Sequence, residues 1–553
     1  MIKIKYLLVA LSFMPCLFAQ KTNENNSITI KNEQYIIQTN TDFYLSGESI
    51  LYKITNLLAT NFLSKIAYVE LVNSKNISIF KHKLLVSNGI ANNDFFIPTN
   101  IETDQYKIIT YTNLMLNNND ISSKDIFIVN PYLPFPEKFK VKDKELKTIS
   151  TPTFSTSNSG LKTNKQEFNK REKATISVDK NITGNFVLSV SKVDSIPNNV
   201  VTNKNLFATE TNNSTNPLKA QPEHRGEVIT GKLVAKNSTT TVDNKKIALS
   251  FPGEHFEFKV ATTDKNGNFK FNLESLSGEE AYFQTLEDNK ENYNIVFDEN
   301  NKFNFNFSFD NPKINPNYGN AILKRSIANQ IQSIYNYTKR DTIVAHKKIK
   351  PFYYGADKEY YLKDFNPQNS IQEVIIELIS EIYVTKIDGK QKIKVYDYEI
   401  NFSNQYNNTI VLVNGFLLQD YEEILSYDPG EFTKVTVVDK GYFLNNHIFN
   451  GVVNFTTKDL NYLPTISEYV TKKNIDRPQL KKRYYTTDYS KDTFEKIPDY
   501  RYQLCWEPNI TEISSQKPFE FYTSDVPGNY KITIEGITKS GESVSMENYI
   551  QVK

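Results

Sequence analysis

Cysteine is nearly missing from this chain: two residues in 553, Cys16 and Cys505. Cys16 falls in an N-terminal leader pattern, so Cys505 has no partner for an intramolecular disulfide. Stability must then come from packing, and a lone thiol of this kind reads as a small buried hydrophobe. Histidine is scarce and dispersed: His82, His224, His255, His346 and His447. No H-E-x-x-H and no pair at metal-ligand spacing occurs among them. There is no G-x-S-x-G, no P-loop and no G-x-G-x-x-G in a strand-to-helix context. Glu223-His224 and Glu254-His255 are sequence neighbours, and neighbours on a strand point to opposite faces, so neither pair makes a natural dyad. A protein that is not an enzyme, with no metal and no cofactor, is therefore expected. An excess of one charge is also lacking: 65 Lys and Arg against 63 Asp and Glu, a net charge of +2. That excludes the basic balance of a nucleic-acid binder. After the first twenty residues no run is long and apolar enough for a transmembrane helix.

What is present is strand-forming sequence. Thirty-four Tyr and 36 Phe accompany many Val, Ile and Thr, and hydrophobic residues make up 39% of the chain. Such a composition favours packed β domains, and the length allows about three to five of them. The opening MIKIKYLLVALSFMPCLFAQ has a charged start at Lys3 and Lys5, an apolar stretch from Tyr6 to Phe18 and a cleavage site after Ala19. It reads as a secretory signal over 1–19, and the protein is expected to be exported to the periplasm, outer membrane or cell surface. Lipid anchoring at Cys16 is the alternative, against which Phe13-Met14-Pro15 makes a poor lipobox.

Four stretches carry period-two alternation. Residues 28–130 contain TDFYLSGESILYKITN with Ile50, Tyr52 and Ile54, then KIAYVELVN and QYKIITYTN, the pattern of a β-sandwich. Asp42, Tyr44, Gly47 and Glu48, then Tyr68 to Leu71, then Tyr106, Tyr111 and Thr112 resemble the second macroglobulin domain of the alpha-2-macroglobulin superfamily. The glycine usual before the closing tyrosine is absent, and so is the Cys-Gly-Glu-Gln thioester of the trapping members. Residues 131–222 read as a polar linker around a partial second sandwich, KATISVDKNITGNFVLSVSKVDSI. Residues 223–310 hold Thr263, Asp264, Gly267, Phe269 and Phe271, which resemble the carboxypeptidase regulatory-like, transthyretin-type domain. Asp264 to Gly267 form its hairpin turn, for which an Asx turn is favoured over a calcium loop. Residues 466–553 read as a C-terminal sandwich.

Two helices break the β pattern. In 319–337, within a helix-and-linker segment 311–356, Leu323, Ile327, Ile331 and Ile334 recur on one face. That face is expected to pack on the domain's own sheet. In 369–383, Ser370 and Glu373 form a capping box, with Val374, Leu378 and Ile382 behind them. The second helix belongs to 357–465, where VLVNGF, Asp428-Pro429 and GVVNFTTK resemble the plug domain of TonB-dependent outer-membrane receptors. The remainder of the chain is far too short for the barrel of such a receptor. The residues carrying that resemblance, Asn414, Gly415, Asp428, Pro429, Gly451, Asn454 and Lys458, are the candidate interaction surface.

The expected fold class is mainly β: several β-sandwich domains, macroglobulin/Ig-like and transthyretin-like, plus one small α/β plug-like domain. The order of domains resembles a group of Bacteroidota envelope proteins. That resemblance implies a non-enzymatic envelope protein that binds an outer-membrane protein, a β-barrel or a protein complex, and assists transport, export or assembly. Two alternatives stand beside it: an extracellular adhesin or ligand-binding protein, and a macroglobulin-like protease sensor or inhibitor without a thioester.

Overall fold

The computed structural model describes residues 33–57, 63–118, 120–140, 160–193, 196, 209–211, 220–274, 278–297, 305–310, 312–335, 340–344, 350–353, 355–396, 409–444, 447–490 and 496–553. The expected leader with Cys16 lies outside them, as do His346 and most of the polar stretches read as linkers. The described part is mainly β, built from stacked sheets.

Alternation through Ile50, Tyr52 and Ile54 produces the strand Ser49–Asn56, with all three side chains fully buried. It pairs antiparallel with Tyr35–Thr39 on one side and Ile90–Phe96 on the other. A second sheet faces it, in the order Asp120–Val129, Asp104–Tyr111, Ile66–Asn73 and Ser78–Leu85. Tyr44, Tyr52, Leu71, Ile108 and Ile126 fill the space between. The strands of this first sandwich lie between Tyr35 and Val129, and Thr209–Thr211 adds an edge strand to its second sheet.

The second sandwich corrects the expected domain division. Lys173–Val178 and Ile182–Lys192, read as half a domain within 131–222, do not stand apart from the C-terminal strands. Ile182–Lys192 is the inner strand of a five-stranded sheet, between Gly528–Thr538 and Gln503–Ile513, with Ser543–Val552 and Glu167–Phe168 beyond. Lys173–Val178 pairs with Phe519–Tyr522 and Leu161–Thr163 in the facing sheet. Phe186, Leu188 and Val190 share one core with Ile532, Ile534 and Ile550. The physical reason is that each half has too few strands to bury an apolar face alone. One sandwich is thus made from two segments more than 300 residues apart, and the modules between residues 227 and 474 are inserted between them.

The module expected to be transthyretin-like is a three-stranded sheet centred on Glu227–Ala235 and a four-stranded sheet centred on Lys246–Phe251 and Glu280–Thr285. Its fourth strand, Thr471–Asn474, comes from beyond the expected boundary at 310. In its hairpin turn, Asp264 Oδ1 accepts from the backbone N–H groups of Asn266 (2.9 Å) and Asn268 (2.8 Å).

The α/β module has a mixed five-stranded sheet in the order Lys358–Tyr361, Phe432–Leu444, His447–Thr457, Ile410–Val413 and Phe416–Leu418. Helix Ile371–Leu378 starts where Ser370 accepts from the Glu373 backbone N–H, as the capping box predicts. It ends sooner than expected. Ile379 is extended, and Ile382 belongs to a hairpin, Ile382–Ile387 with Lys390–Val395. One sheet face packs on this helix through Val413, Val435 and Phe455. The other face, Ile410, Leu412, Leu417 and Val452, packs on Phe256, Phe258 and Val260 of the transthyretin-like module. Both apolar faces of this sheet are therefore covered by the chain itself.

The helix Gly319–Ile334 forms, but its apolar stripe does not pack as expected. Leu323, Ile327 and Ile334 are exposed. The opposite face holds the helix instead. Arg325 clamps Glu48 with two hydrogen bonds, Nε to Oε1 at 2.6 Å and Nη2 to Oε2 at 2.8 Å, and also donates to the Phe43 carbonyl. This bidentate, charge-assisted pair fixes the inward face of the helix, alongside the buried Ser326 and Ala328.

Candidate ligand cleft

Residues Glu33–Lys553 form one compact unit. Within it the two sandwiches meet where strand Ser49–Asn56 crosses Gln503–Ile513. Lys53 is fully buried there and donates from Nζ to the Phe186 carbonyl at 3.0 Å. Gln38 Nε2 likewise donates to the Glu535 carbonyl at 3.1 Å. Beside this contact a cavity of about 740 Å³ opens between the sandwiches and the helix Gly319–Ile334. That lies inside the range of small-molecule sites.

Three separate parts of the chain build its walls. The five-stranded sheet offers its outward side chains: Ser189, Ser191, Lys531, Thr533, Glu535 and Ser545. They are the polar alternates of strands whose other side chains, such as Val190, Ile532 and Ile534, sit in the sandwich core. The first sandwich contributes Thr39, Ser49, Ser123 and Lys124. The helix contributes Arg325, Asn329, Gln332 and Ser333, the face opposite its exposed stripe.

Most charges in the walls are matched nearby. Lys124 pairs with Asp42 at 2.9 Å, Arg325 with Glu48 at 2.6 Å, Arg501 with Asp499 at 2.6 Å and Lys531 with Glu547 at 2.7 Å. Burial works against the Lys531 ammonium. The Glu547 carboxylate, with Tyr549 and Glu535 nearby, outweighs it and holds the Lys531 pKa above its ordinary value. Lys192 reaches the Pro527 carbonyl at 2.5 Å. Ser123 is buried, lines the cavity, and its Oγ has no hydrogen-bond partner. Two aromatic side chains on the cavity wall are open to solvent, Phe96 at 55% and Tyr500 at 38% exposure.

The candidate interaction residues of the α/β module lie elsewhere, and five of the seven are inside. Asn414 and Gly415 form a tight turn with φ of 49° and 86°, which favours glycine at the second position. Asn414 donates from Nδ2 to Thr457 Oγ1 at 2.7 Å and accepts from the Thr457 N–H at 3.0 Å. Gly415 N–H donates to Asn454 Oδ1 at 3.2 Å. A Cβ on Gly415 would lie 2.2 Å from Phe256 Cβ, and one on Gly451 2.5 Å from the Val438 carbonyl oxygen. Pro429 is buried in a short turn that Asp428 caps by accepting from the Gly430 N–H at 2.7 Å. Asp428 and Lys458 are exposed. As a set these residues hold a turn and a module junction together; they do not form a surface. The cleft residues gave no such signal in sequence. A polar alternate on a strand reads as solvent-facing, whether or not another domain stands opposite.

Two other buried polar groups are structural. Cys505 is enclosed, and burial pushes its thiol up to about 12. Glu227 is buried at the meeting of the first sandwich and the transthyretin-like module, within 2.5 Å of Lys83 and 2.9 Å of Arg477. Among the described residues no group of three or more His, Cys, Asp or Glu is placed to hold a metal ion. No helix among them is long and apolar enough to cross a membrane.

No family model matches the sequence, and no curated protein does. Among solved structures, the chain is similar to Escherichia coli alpha-2-macroglobulin activated by porcine elastase, at 8% identity over 94% of this chain and 44% of that one, with a TM-score of 0.22. It is similar to Salmonella alpha-2-macroglobulin reacted with methylamine, at 9% identity over 94% of this chain and 39% of that one, with a TM-score of 0.23. A CARDB domain of Pyrococcus furiosus, crystallised with di-metal ions, matches 18% of this chain and 92% of its own at 16% identity, with a TM-score of 0.14. The chain spans less than half the length of the macroglobulins it matches. TM-scores of this size do not mark a shared overall fold.

Proposed function

We propose that this chain is an exported, non-enzymatic binding protein of the cell envelope, and that its ligand seats in the cleft between the two sandwiches. The observation that carries the reading is the cleft itself. It is roomy, polar and assembled from four distant segments, and the second sandwich beside it is closed by strands from two segments more than 300 residues apart. The remaining modules act as a scaffold. They are joined by shared cores and buried ion pairs, so they can hold the cleft in one shape. A docking role for the plug-like module on an outer-membrane barrel has less support, because both apolar faces of its sheet are already occupied.

The test is affinity recovery of the tagged chain from mild-detergent and soluble envelope fractions, side by side with Ser191→Trp and Thr533→Trp. Both variants place an indole in the cavity. Material bound by the parent and lost from both variants supports the cleft. Equal recovery from all three chains, or nothing above background in any, refutes it. A stoichiometric outer-membrane barrel recovered equally by all three returns the function to the plug-like module.

A further inference from the structure

We infer that the ligand of the cleft is an extended polypeptide segment of a partner protein, which adds a strand to the open edge of Tyr35–Thr39. This rests on the cleft being the binding site. The argument begins with the hydrogen bonds of that strand. In its sheet it has one neighbour, Ser49–Asn56. Leu57 N–H donates to the Gln34 carbonyl at 2.8 Å, and Asn40 N–H to the Leu51 carbonyl at 3.1 Å. In an antiparallel pair the backbone groups of successive residues point to opposite sides. The even-numbered residues from Gln34 to Asn40 therefore bond the neighbour. Tyr35, Ile37 and Thr39 turn their N–H and C=O groups to the open side. Tyr35 N–H donates to Ser122 Oγ at 3.3 Å. The backbone groups of Ile37 and Thr39 have no hydrogen-bond partner among the described residues.

The cavity lies on that open side. Its lining includes Tyr35, Ile37 and Thr39, and neither Ile36 nor Gln38. Gln38 instead reaches the Glu535 carbonyl, so this sheet lies across the outward face of the five-stranded sheet. A strand added beside Tyr35–Thr39 stays over that face, where Thr533 and Ser545 line the cavity, with Ser123 and Lys124 on the other side. The sheet that would receive it is also the narrower one of its sandwich, three strands against six.

The edge carries nothing that prevents pairing. Exposed edges of soluble proteins are blunted by lysine, proline or a bulge. The sequence Tyr-Ile-Ile-Gln-Thr has no charge and no proline, and its register with Ser49–Asn56 is unbroken. Walls on both sides keep a second sheet from stacking there and leave room for one strand. The edge also selects the class of ligand. Ile37 and Thr39 each offer one donor and one acceptor, ~7 Å apart along the strand. An anion would take the donors and leave the carbonyls, and a cation the reverse. An extended backbone satisfies both at the same repeat.

The experiment uses the full chain and two readouts. In the first, Thr39→Pro and Thr39→Val join the affinity recovery. Proline removes an N–H that takes no part in the ladder with Ser49–Asn56, a place where an edge strand accepts it. Valine keeps the N–H and removes only the hydroxyl. An unchanged urea midpoint verifies the fold of each. The expected result is a protein recovered by the parent and by Thr39→Val, and reduced about tenfold or more in Thr39→Pro. In the second, short peptides selected against the full chain from a random library are remade with a single N-methyl group at each position in turn. Strand pairing predicts losses of about tenfold at every second residue and little change between them. This readout alters only the peptide, so it decides the matter even where Thr39→Pro fails to fold. A glycan or lipid in place of a protein, no selectable peptide, or N-methyl losses without a period of two overturns the inference. Failure here is distinguishable from failure of the cleft. If recovery is lost in Ser191→Trp and Thr533→Trp and kept in a folded Thr39→Pro, the cleft stands and only the strand pairing falls.

Discussion

Lys53 offers a sharp test of how the two sandwiches are joined. Its ammonium is enclosed between them with one acceptor, the Phe186 carbonyl. Burial, helped by Lys481 and opposed by Glu507, moves its pKa from 10.5 down to about 7. Below about pH 7 the folded and unfolded chains both hold the proton, and the full penalty of a buried charge weighs on the fold. Between there and 10.5 only the unfolded chain holds it, so stability rises with pH. Above 10.5 the penalty is gone. A shift of this size corresponds to roughly 5 kcal/mol, at about 1.4 kcal/mol per pH unit. Lys53→Met keeps the length of the side chain and removes the charge, at the expense of one hydrogen bond worth about 1 kcal/mol. The variant should therefore be more stable than the parent by a few kcal/mol near pH 6, and the two should be about equal near pH 10, where the remaining penalty of about 0.8 kcal/mol offsets the lost hydrogen bond. The only tryptophan, Trp506, is buried on the strand Gln503–Ile513 of the second sandwich. Its fluorescence in urea titrations follows the module that Lys53 touches. Glu223, raised toward 7 by burial, titrates in the same range in both proteins and cancels in the difference. A stability difference that does not narrow between pH 6 and pH 10 would refute the reasoning.

The other expectations are simpler. Gly415→Ala forces a Cβ into Phe256 at a positive φ and should lower stability by about 2–3 kcal/mol in chemical denaturation, with Phe256→Ala recovering part of the loss in the double variant. Glu227→Gln leaves Lys83 and Arg477 without their shared carboxylate and should cost about 3–5 kcal/mol, read as a lower urea midpoint. Cys505, with its thiol held up at about 12, should resist a thiol-specific reagent at neutral pH in the folded protein and react once denatured. Labelling of the native chain at the rate of a free thiol would contradict its enclosure.

Local elements were readable because they obey local rules. The strand Ser49–Asn56 shows itself in alternating Ile50, Tyr52 and Ile54, the hairpin turn at 264–267 in Asp264 and Gly267, and the start of helix Ile371–Leu378 in Ser370 and Glu373. What could not be read depends on distant partners. Nothing in KATISVDKNITGNFVLSVSK says that its sheet is completed by residues 503–552, since a partner strand more than 300 residues away leaves no mark on local alternation. The exposed stripe of helix Gly319–Ile334 was misjudged for the same reason. Periodicity marks an apolar face, but Arg325 and its clamp on Glu48 decide which face turns inward. The turn Asn414-Gly415 was legible as a turn and not as a surface, because its neighbour Phe256 belongs to another module. The cleft follows from all of these, and its residues carry no motif.

The most direct measurement places a photo-crosslinking amino acid at Phe96 and Tyr500 on the cleft wall. The control site is Phe443, which is 71% exposed on the α/β module. Each variant is irradiated in expressing cells. A ligand seated in the cleft gives light-dependent adducts at 96 and 500 and none at 443. Adducts at 443 alone, with the cleft positions clean, would contradict the cleft and move the binding site to the α/β module.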